Sequence, residues 1–298
     1  MKKYVDLHMH STFSDGENTR EELISLAKKA GLSVISITDH DTTKGYFDFD
    51  LNNFDIEIMK GVEIVTTAGK CPVEVMIYGF EERDMQNFLE KNSLSHEQES
   101  KVKAEKEIKV LQSYGIKIDL DLNKYLDKNC KTWSVADLWK VLMKDSKAIE
   151  LLKEENEELI VSPKFFFRKG LSNIKSKFFV DLSKDYISLK LLREYCDKNG
   201  LVMLLAHPGE YYTNLDIVLK NAVKYIDGIE TYHPSINEEL HKYLVDYCKK
   251  NNLLQGGGSD YHGFRGELNS EKVPYEMYLA IKERLEHLKN NRLITNIK

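Results

Sequence analysis

Two histidines one residue apart, His8 and His10, close the apolar stretch Tyr4-Val-Asp-Leu, and Ser14-Asp15-Gly16 follows closely. In an extended segment residues i and i+2 point to the same side, so the two imidazoles can grip one ion, with Asp15 as a nearby carboxylate donor. A pair of ordinary surface histidines would look the same in isolation. Recurrence separates the two readings. Ser33-Val-Ile-Ser-Ile-Thr38 reads as a buried strand and runs into Asp39, His40 and Asp41, while Ile56-Glu-Ile-Met59 leads to Gly61-Val62-Glu63. Leu201-Val-Met-Leu-Leu-Ala206 stops at His207-Pro208, and Leu253-Leu-Gln-Gly-Gly-Gly-Ser259 leads into Asp260-Tyr261-His262. Each acid or histidine of this set follows a strand-like run, which points to one polar site at the strand C-termini of a parallel α/β barrel.

The elements needed to position these groups are visible in the periodicity. Residues 21–31, Glu-Glu-Leu-Ile-Ser-Leu-Ala-Lys-Lys-Ala-Gly, predict an amphipathic helix closed by glycine, and Val73-Glu-Val-Met-Ile-Tyr-Gly79 predicts a fourth strand. From residue 81 to 186 the pattern changes to Lys- and Glu-rich helical segments, including 101–114 and 134–143. A helix over 189–199 and strands near 201, 227 and 253 then resume the first pattern, making seven strands in all. The domain reading is a barrel from 1–80 and 187–298, interrupted by a helical cap over 81–186. The charged helix faces of the cap read as solvated surface.

The bulk properties of the 298-residue chain exclude several classes. A net charge of −5 and a pI near 6.0 offer no extended basic surface for nucleic acid, leaving small or single-nucleotide substrates. Cys71, Cys130, Cys196 and Cys248 form no paired motif, as expected for a reduced, cytoplasmic protein. No leader-like apolar segment opens the sequence, and no apolar run is long enough to span a bilayer. The oligomeric state has no sequence signature.

His8-x-His10, Ser14-Asp15-Gly16, Ile37-Thr-Asp-His-Asp41, Gly61-Val-Glu63, Ala206-His207-Pro208, Gly228-Ile-Glu-Thr-Tyr-His-Pro234 and Gly258-Ser-Asp-Tyr-His262 resemble the motifs of the polymerase and histidinol phosphatase (PHP) family. The resemblance spans the chain and is closest to stand-alone members with a helical insertion, which include nucleotide and oligonucleotide phosphoesterases. It implies a distorted (β/α)7, TIM-like barrel with an inserted helical subdomain, and a cluster of two to three divalent ions, commonly manganese, iron or zinc. By the same resemblance His8, His10, Glu63 and Asp260 would hold one ion. Asp15, His40 and His262 would hold a second, and Glu63 and His207 a third position. Mixed imidazole and carboxylate donors suit those metals better than calcium. Asp39 and Asp41 read as supporting or capping carboxylates more than as ligands.

Such ions would activate a hydroxide and neutralise phosphoryl charge, so the implied reaction is phosphoester hydrolysis of a nucleotide, an oligonucleotide end or a sugar phosphate. His207 or His233 could protonate the leaving group, although His233 could equally be a structural strand-end residue. The chain departs from its relatives at Met76, where they carry a histidine, which predicts a weak or empty third site because a thioether is a poor donor to such ions. It also has Thr132-Trp133-Ser134 and Glu210 where they carry arginines. Arg168 and Lys169, in Phe165-Phe-Phe-Arg-Lys-Gly170, are the candidate replacements for phosphate binding, against the plainer reading of a basic, aromatic helix end. Two other functions fit less of this pattern: an amidohydrolase-like enzyme using the same centre, and a metal- or ligand-binding module whose catalysis has decayed.

Overall fold

The computed structural model describes residues 2–129, 132–263 and 266–295, so Cys130 lies outside the described residues. The strands are β1 (Tyr4–Met9), β2 (Leu32–Ile37), β3 (Glu57–Ile58), β4 (Gly61–Ala68), β5 (Cys71–Tyr78), β6 (Ile187–Ser188), β7 (Val202–Leu205), β8 (Gly228–Tyr232), β9 (Leu254–Gly257) and β10 (Val273–Pro274). They form two mixed sheets, in the orders β10-β1-β2-β3 and β6-β4-β5-β7-β8-β9. Two isolated parallel bridges, His40 to Glu63 and Met9 to Tyr261, link the segment after β2 to β4 and β1 to the segment after β9.

Two expectations are corrected here. The strands are not all parallel, because β5 runs antiparallel to both β4 and β7. The cause is local: Ala68 pairs with Cys71 across a turn of Gly69, at φ 67°, and Lys70. So short a connection can join only antiparallel strands. The strand expected over Ile56-Glu-Ile-Met59 shrinks to the two residues of β3, and β4 follows where no strand was expected. Its sequence, Gly-Val-Glu-Ile-Val-Thr-Thr-Ala, is rich in β-branched residues that favour a pleated surface. Glu63 therefore stands inside a strand instead of after one.

Helix α1 (Arg20–Lys29) starts with a capping box between Thr19 and Glu22. Between β5 and β6 lie α2 (Glu82–Asn92), α3 (His96–Ser113), α4 (Leu122–Lys128), α5 (Val135–Leu142), α6 (Ser146–Glu155) and the short α7 (Pro163–Phe165), which runs into a π-helical turn at Phe166–Leu171. Helices α8 (Leu189–Asn199), α9 (Leu215–Ala222), α10 (Glu238–Asn251) and α11 (Tyr275–Thr295) alternate with the later strands. Ala104, Leu111, Leu138, Leu152, Phe166 and Phe178 pack in a cluster distinct from those around the strands. Among the described residues, no helix is long and apolar enough to cross a membrane.

Candidate metal centre

The polar residues singled out in the sequence converge on Glu63, which is buried on β4. Its Oε2 lies 3.1 Å from His8 Nε2, 3.3 Å from His10 Nε2 and 3.2 Å from His40 Nδ1, and its Oε1 lies 2.9 Å from His207 Nε2. Asp260 Oδ1 is 3.5 Å from His8 Nε2 and 3.2 Å from His10 Nε2, and its Oδ2 is 3.5 Å from His233 Nε2. Asp15 Oδ1 is 3.2 Å from His262 Nε2 and 3.8 Å from both His10 Nδ1 and His40 Nε2. Potential donor atoms gather in four overlapping groups: His10, Asp15, His40 and His262; His8, His233 and Asp260; His8, His10 and Glu63; and His40, Glu63 and Glu74.

The hydrogen bonds around these rings show that the groups suit cations. His8 Nδ1 donates to Glu230 Oε1 at 3.0 Å, and its Nε2 lies within hydrogen-bond distance of both Glu63 Oε2 and His10 Nε2, at 3.1 Å each. His262 Nδ1 donates to the carbonyl of Asp260 at 2.8 Å, and its Nε2 lies 3.2 Å from Asp15 Oδ1. Imidazoles and carboxylates packed this closely need a proton or a metal ion between them. The buried Nδ1 atoms of His10 and His207 have no hydrogen-bond partner. Burial opposes charge on His8, His10 and His207, yet the surrounding carboxylates reverse this, raising all three and pushing His10 up to about 9. The same positive field, working against burial, holds Asp260 and Glu63 well below the usual carboxylate range. This pocket selects for positive charge, and imidazoles with carboxylates are the donor types that divalent transition ions take.

Several residues hold the donors in place. Glu230 accepts from His8 with one oxygen and from the His207 backbone N–H with the other, at 2.7 Å. Asp6, pushed up to about 6 by burial, accepts from the Ser259 backbone N–H at 2.9 Å and so ties β1 to the loop carrying Asp260. Asp39 accepts from the Ser11 backbone N–H, the Ser11 hydroxyl and the Ser14 hydroxyl, each at 2.7 Å, which fixes the loop between His10 and Asp15. That is the capping role expected of it. Asp41 likewise accepts from the Val65 N–H at 3.2 Å. Gly16 closes the loop where a Cβ would sit 2.2 Å from the His10 carbonyl oxygen. Asp41, His207 and Asp260 all have positive φ, of 50°, 27° and 51°. Backbone strain of this kind, on the order of 1–3 kcal/mol per residue, persists where the surroundings over-determine the conformation and clusters at functional sites.

All eight candidate metal-binding residues, His8, His10, Asp15, His40, Glu63, His207, Asp260 and His262, thus meet in one place, and His233 joins them. The structure divides them differently from the expected sets, since His10 faces Asp15 through Nδ1 and Glu63 through Nε2. Arg168 lies beside the centre, ion-paired with Glu210 and with its Nη2 4.0 Å from Glu74 Oε2. Lys169 pairs with Glu158 and stacks over Phe165 and Tyr212, touching no member of the cluster. Met76 packs among apolar side chains, including Leu7, Tyr78 and Leu204. Glu74 and Glu230 received no role from the sequence. Glu230 stands inside the Gly228–Pro234 motif and Glu74 two residues before Met76, and only pairing across the sheets shows that they face the centre.

The chain matches the PHP domain over residues 6–294. It belongs to the PHP domain family. Other members resemble this PHP chain over most of their length. A phosphoribosyl 1,2-cyclic phosphate 1,2-diphosphodiesterase from Eggerthella lenta is 25% identical over 267 residues, covering 88% of this chain and 95% of that one. A 5'-3' exoribonuclease from Haemophilus influenzae is 25% identical over 270 residues, covering 88% and 91%. A 3',5'-nucleoside bisphosphate phosphatase from Chromobacterium violaceum is 23% identical over 282 residues, covering 91% and 92%. Among solved structures, an amidohydrolase from Chromobacterium violaceum with bound sulfate and no metal superposes with a TM-score of 0.63 at 20% identity, covering 94% of this chain and 96% of that one. A Bifidobacterium adolescentis protein assigned as a metal-dependent phosphoesterase gives 0.60 at 20% identity, covering 95% and 96%. These two likenesses establish a shared α/β fold.

Proposed function

We propose that this PHP protein is a metal-dependent phosphoesterase acting on a small phosphorylated substrate, a nucleotide, an oligonucleotide end or a sugar phosphate. The observation that carries the reading is the convergence of five imidazoles and four carboxylates, His8, His10, His40, His207, His262, Asp15, Glu63, Glu74 and Asp260, on one centre, where donors of these types favour divalent cations. Three relatives matched over most of their length are named for phosphoester cleavage on different substrates. Two or three ions of manganese, iron or zinc suit the donors, and when bound they supply a Lewis acid for the phosphoryl oxygens and lower the pKa of water beside the ester.

The chain's own groups do the rest. His233 Nδ1 accepts from the Ser235 backbone N–H at 3.0 Å, so its proton sits on Nε2, pointing into the centre. That suits it to donate a hydrogen bond or proton to the leaving oxygen, while His207, between two glutamates, is placed to hold an ion. Arg168, carried by the π-helical turn, is the candidate phosphate clamp, oriented by Glu210. The bridges from the segment after β2 to β4 and from β1 to the segment after β9 support reading the two sheets as a distorted (β/α)7 barrel over 1–80 and 187–298. The separate apolar cluster of the helices between β5 and β6 supports reading 81–186 as an inserted cap that shapes the substrate pocket. Buried free thiols at Cys71, Cys196 and Cys248 fit a reduced, cytoplasmic setting.

Phosphate release from a panel of phosphomonoesters, cyclic phosphodiesters and short oligonucleotides by the manganese-loaded protein tests this. Turnover should vanish on chelation and in Asp260→Asn. A fully metallated protein that releases phosphate from none of them overturns the reading.

A further inference from the structure

Phe13 lies in the loop between two donors of the centre, His10 and Asp15, and its ring is 43% exposed. Other large apolar side chains that stand exposed, such as Leu191, Tyr243 and Leu279, lie instead on the helices that alternate with the strands. The backbone under Phe13 is held in place. Its N–H donates to the Ser11 hydroxyl at 3.2 Å, the Ser14 and Gly16 N–H groups donate to the Ser11 carbonyl at 3.1 and 3.0 Å, and the Ser14 hydroxyl donates to Asp39 at 2.7 Å. The ring is also backed by a guanidinium, with Arg20 Cζ 5.5 Å from the Phe13 centroid and 4.0 Å from that of Phe49. Arg20 is fixed in turn, donating to the Gly45 and Phe47 carbonyls at 2.7 and 3.2 Å. Gly45 lies against the same ring, since a Cβ there would come 3.5 Å from Phe13 Cδ2.

We infer that Phe13 is a stacking platform for the nucleobase of the substrate, so that this centre takes nucleosidic phosphoesters in preference to bare sugar phosphates. The inference rests on the phosphoesterase reading and narrows it. A large apolar ring gains by burial, and a well-tied loop that leaves one exposed beside a polar centre offers it to a ligand. When a phosphoryl group occupies the donors of a nucleotide enzyme, the base stands one sugar away, and only Ser14 separates Phe13 from Asp15. The guanidinium of Arg20 draws on the π-electrons of the ring from one side, which leaves the opposite face less negative and eases the stacking of a flat π-system upon it. Every base has a π-face, so the platform distinguishes a base from no base more than one base from another. Arg168 reaches the centre beside Glu74 of β5, whereas Phe13 follows β1 of the other sheet, so the phosphate clamp and the base platform come from different walls.

The test reads binding apart from turnover. Titration calorimetry on the manganese-loaded protein compares a 5'-methylphosphonate of adenosine, whose carbon–phosphorus bond does not hydrolyse, with the matching ribose phosphonate that lacks the base. The wild type should bind the adenosine compound about tenfold more tightly or better, Phe13→Ala should lose that preference, and Phe13→Trp should keep it. Circular dichroism and manganese content report that the variants are folded. A wild type without the preference, or a Phe13→Ala protein that retains it, overturns the inference. Equal weakening of both compounds in Phe13→Ala does so too, because the ring would then only prop the loop between His10 and Asp15. A base preference that depends on Phe13, in a protein that releases phosphate from no ester of the panel, would instead overturn the proposed activity and leave the platform standing.

Discussion

Glu230 joins His8 and His207 through a single carboxylate, accepting the His8 ring N–H at 3.0 Å and the His207 backbone N–H at 2.7 Å. It fixes which nitrogen of His8 faces the centre and anchors the strained residue that brings His207 to Glu63. Carboxylates behind metal-bound histidines typically contribute ten- to hundredfold in affinity, roughly. Glu230→Gln should weaken manganese binding by about that factor in a competition titration, with the far-ultraviolet spectrum unchanged. An unaltered affinity would show that the tautomer of His8 does not depend on Glu230.

Arg168 lies beside the cluster, and Glu210, drawn down to about 2 by Arg168, His207 and Lys164 against the effect of burial, stays charged to hold it. Loss of a charged hydrogen-bonding group typically costs about 1.5–3 kcal/mol, or roughly ten- to hundredfold. Arg168→Ala should lower kcat/KM by that factor, mainly through KM, while binding the wild-type number of ions. Arg168→Lys should rescue it poorly, because a point charge cannot reproduce the planar fork. Wild-type kinetics in Arg168→Ala would remove the residue from substrate binding.

Glu107 carries a prediction about pH. Its carboxyl is buried inside the helical cluster beside the Trp133 indole N–H, 2.7 Å away, and burial pushes it up to about 7 from a usual 4.5. The folded state therefore holds a proton between about pH 4.5 and 7 that the unfolded chain has released. The stabilisation is fully present below the unfolded value and is lost as pH rises through the folded one. Unfolding free energy should fall across that interval by an amount on the order of 3 kcal/mol more in the wild type than in Glu107→Gln, which keeps an acceptor for Trp133 and carries no titrating proton. Identical pH slopes in denaturant titrations would contradict the buried-acid account.

Gly258 sits against the back of the first histidine, where a Cβ would lie 2.5 Å from both the Cβ and the backbone nitrogen of His8. Forced shifts of this kind in a packed interior cost about 1–3 kcal/mol. Gly258→Ala should lower stability by that amount and reduce manganese affinity together, since the displaced atoms carry His8. A variant with reduced stability and intact affinity would mean that β1 absorbs the shift without moving its imidazole.

The chemistry of the centre was legible in the sequence because metal donors are few in type and recur after apolar runs. His8, His10, Asp15, His40, Glu63, His207, Asp260 and His262 are all recognisable by residue type and local pattern, and helix α8 by its periodicity. Strand direction was not, because a β-branched run reads the same whichever way it points. Only the turn at Gly69-Lys70 and the ladder it starts reveal that β5 is antiparallel. The same limit hid Glu74 and Glu230. An acid in a strand shows its face only relative to its neighbours, and those neighbours, β4, β7 and β9, come from distant parts of the chain. The sequence by itself determined which groups could bind cations. The tertiary structure decided how they are shared, because a lone pair acquires a partner only when backbone pairing sets its position to within an ångström.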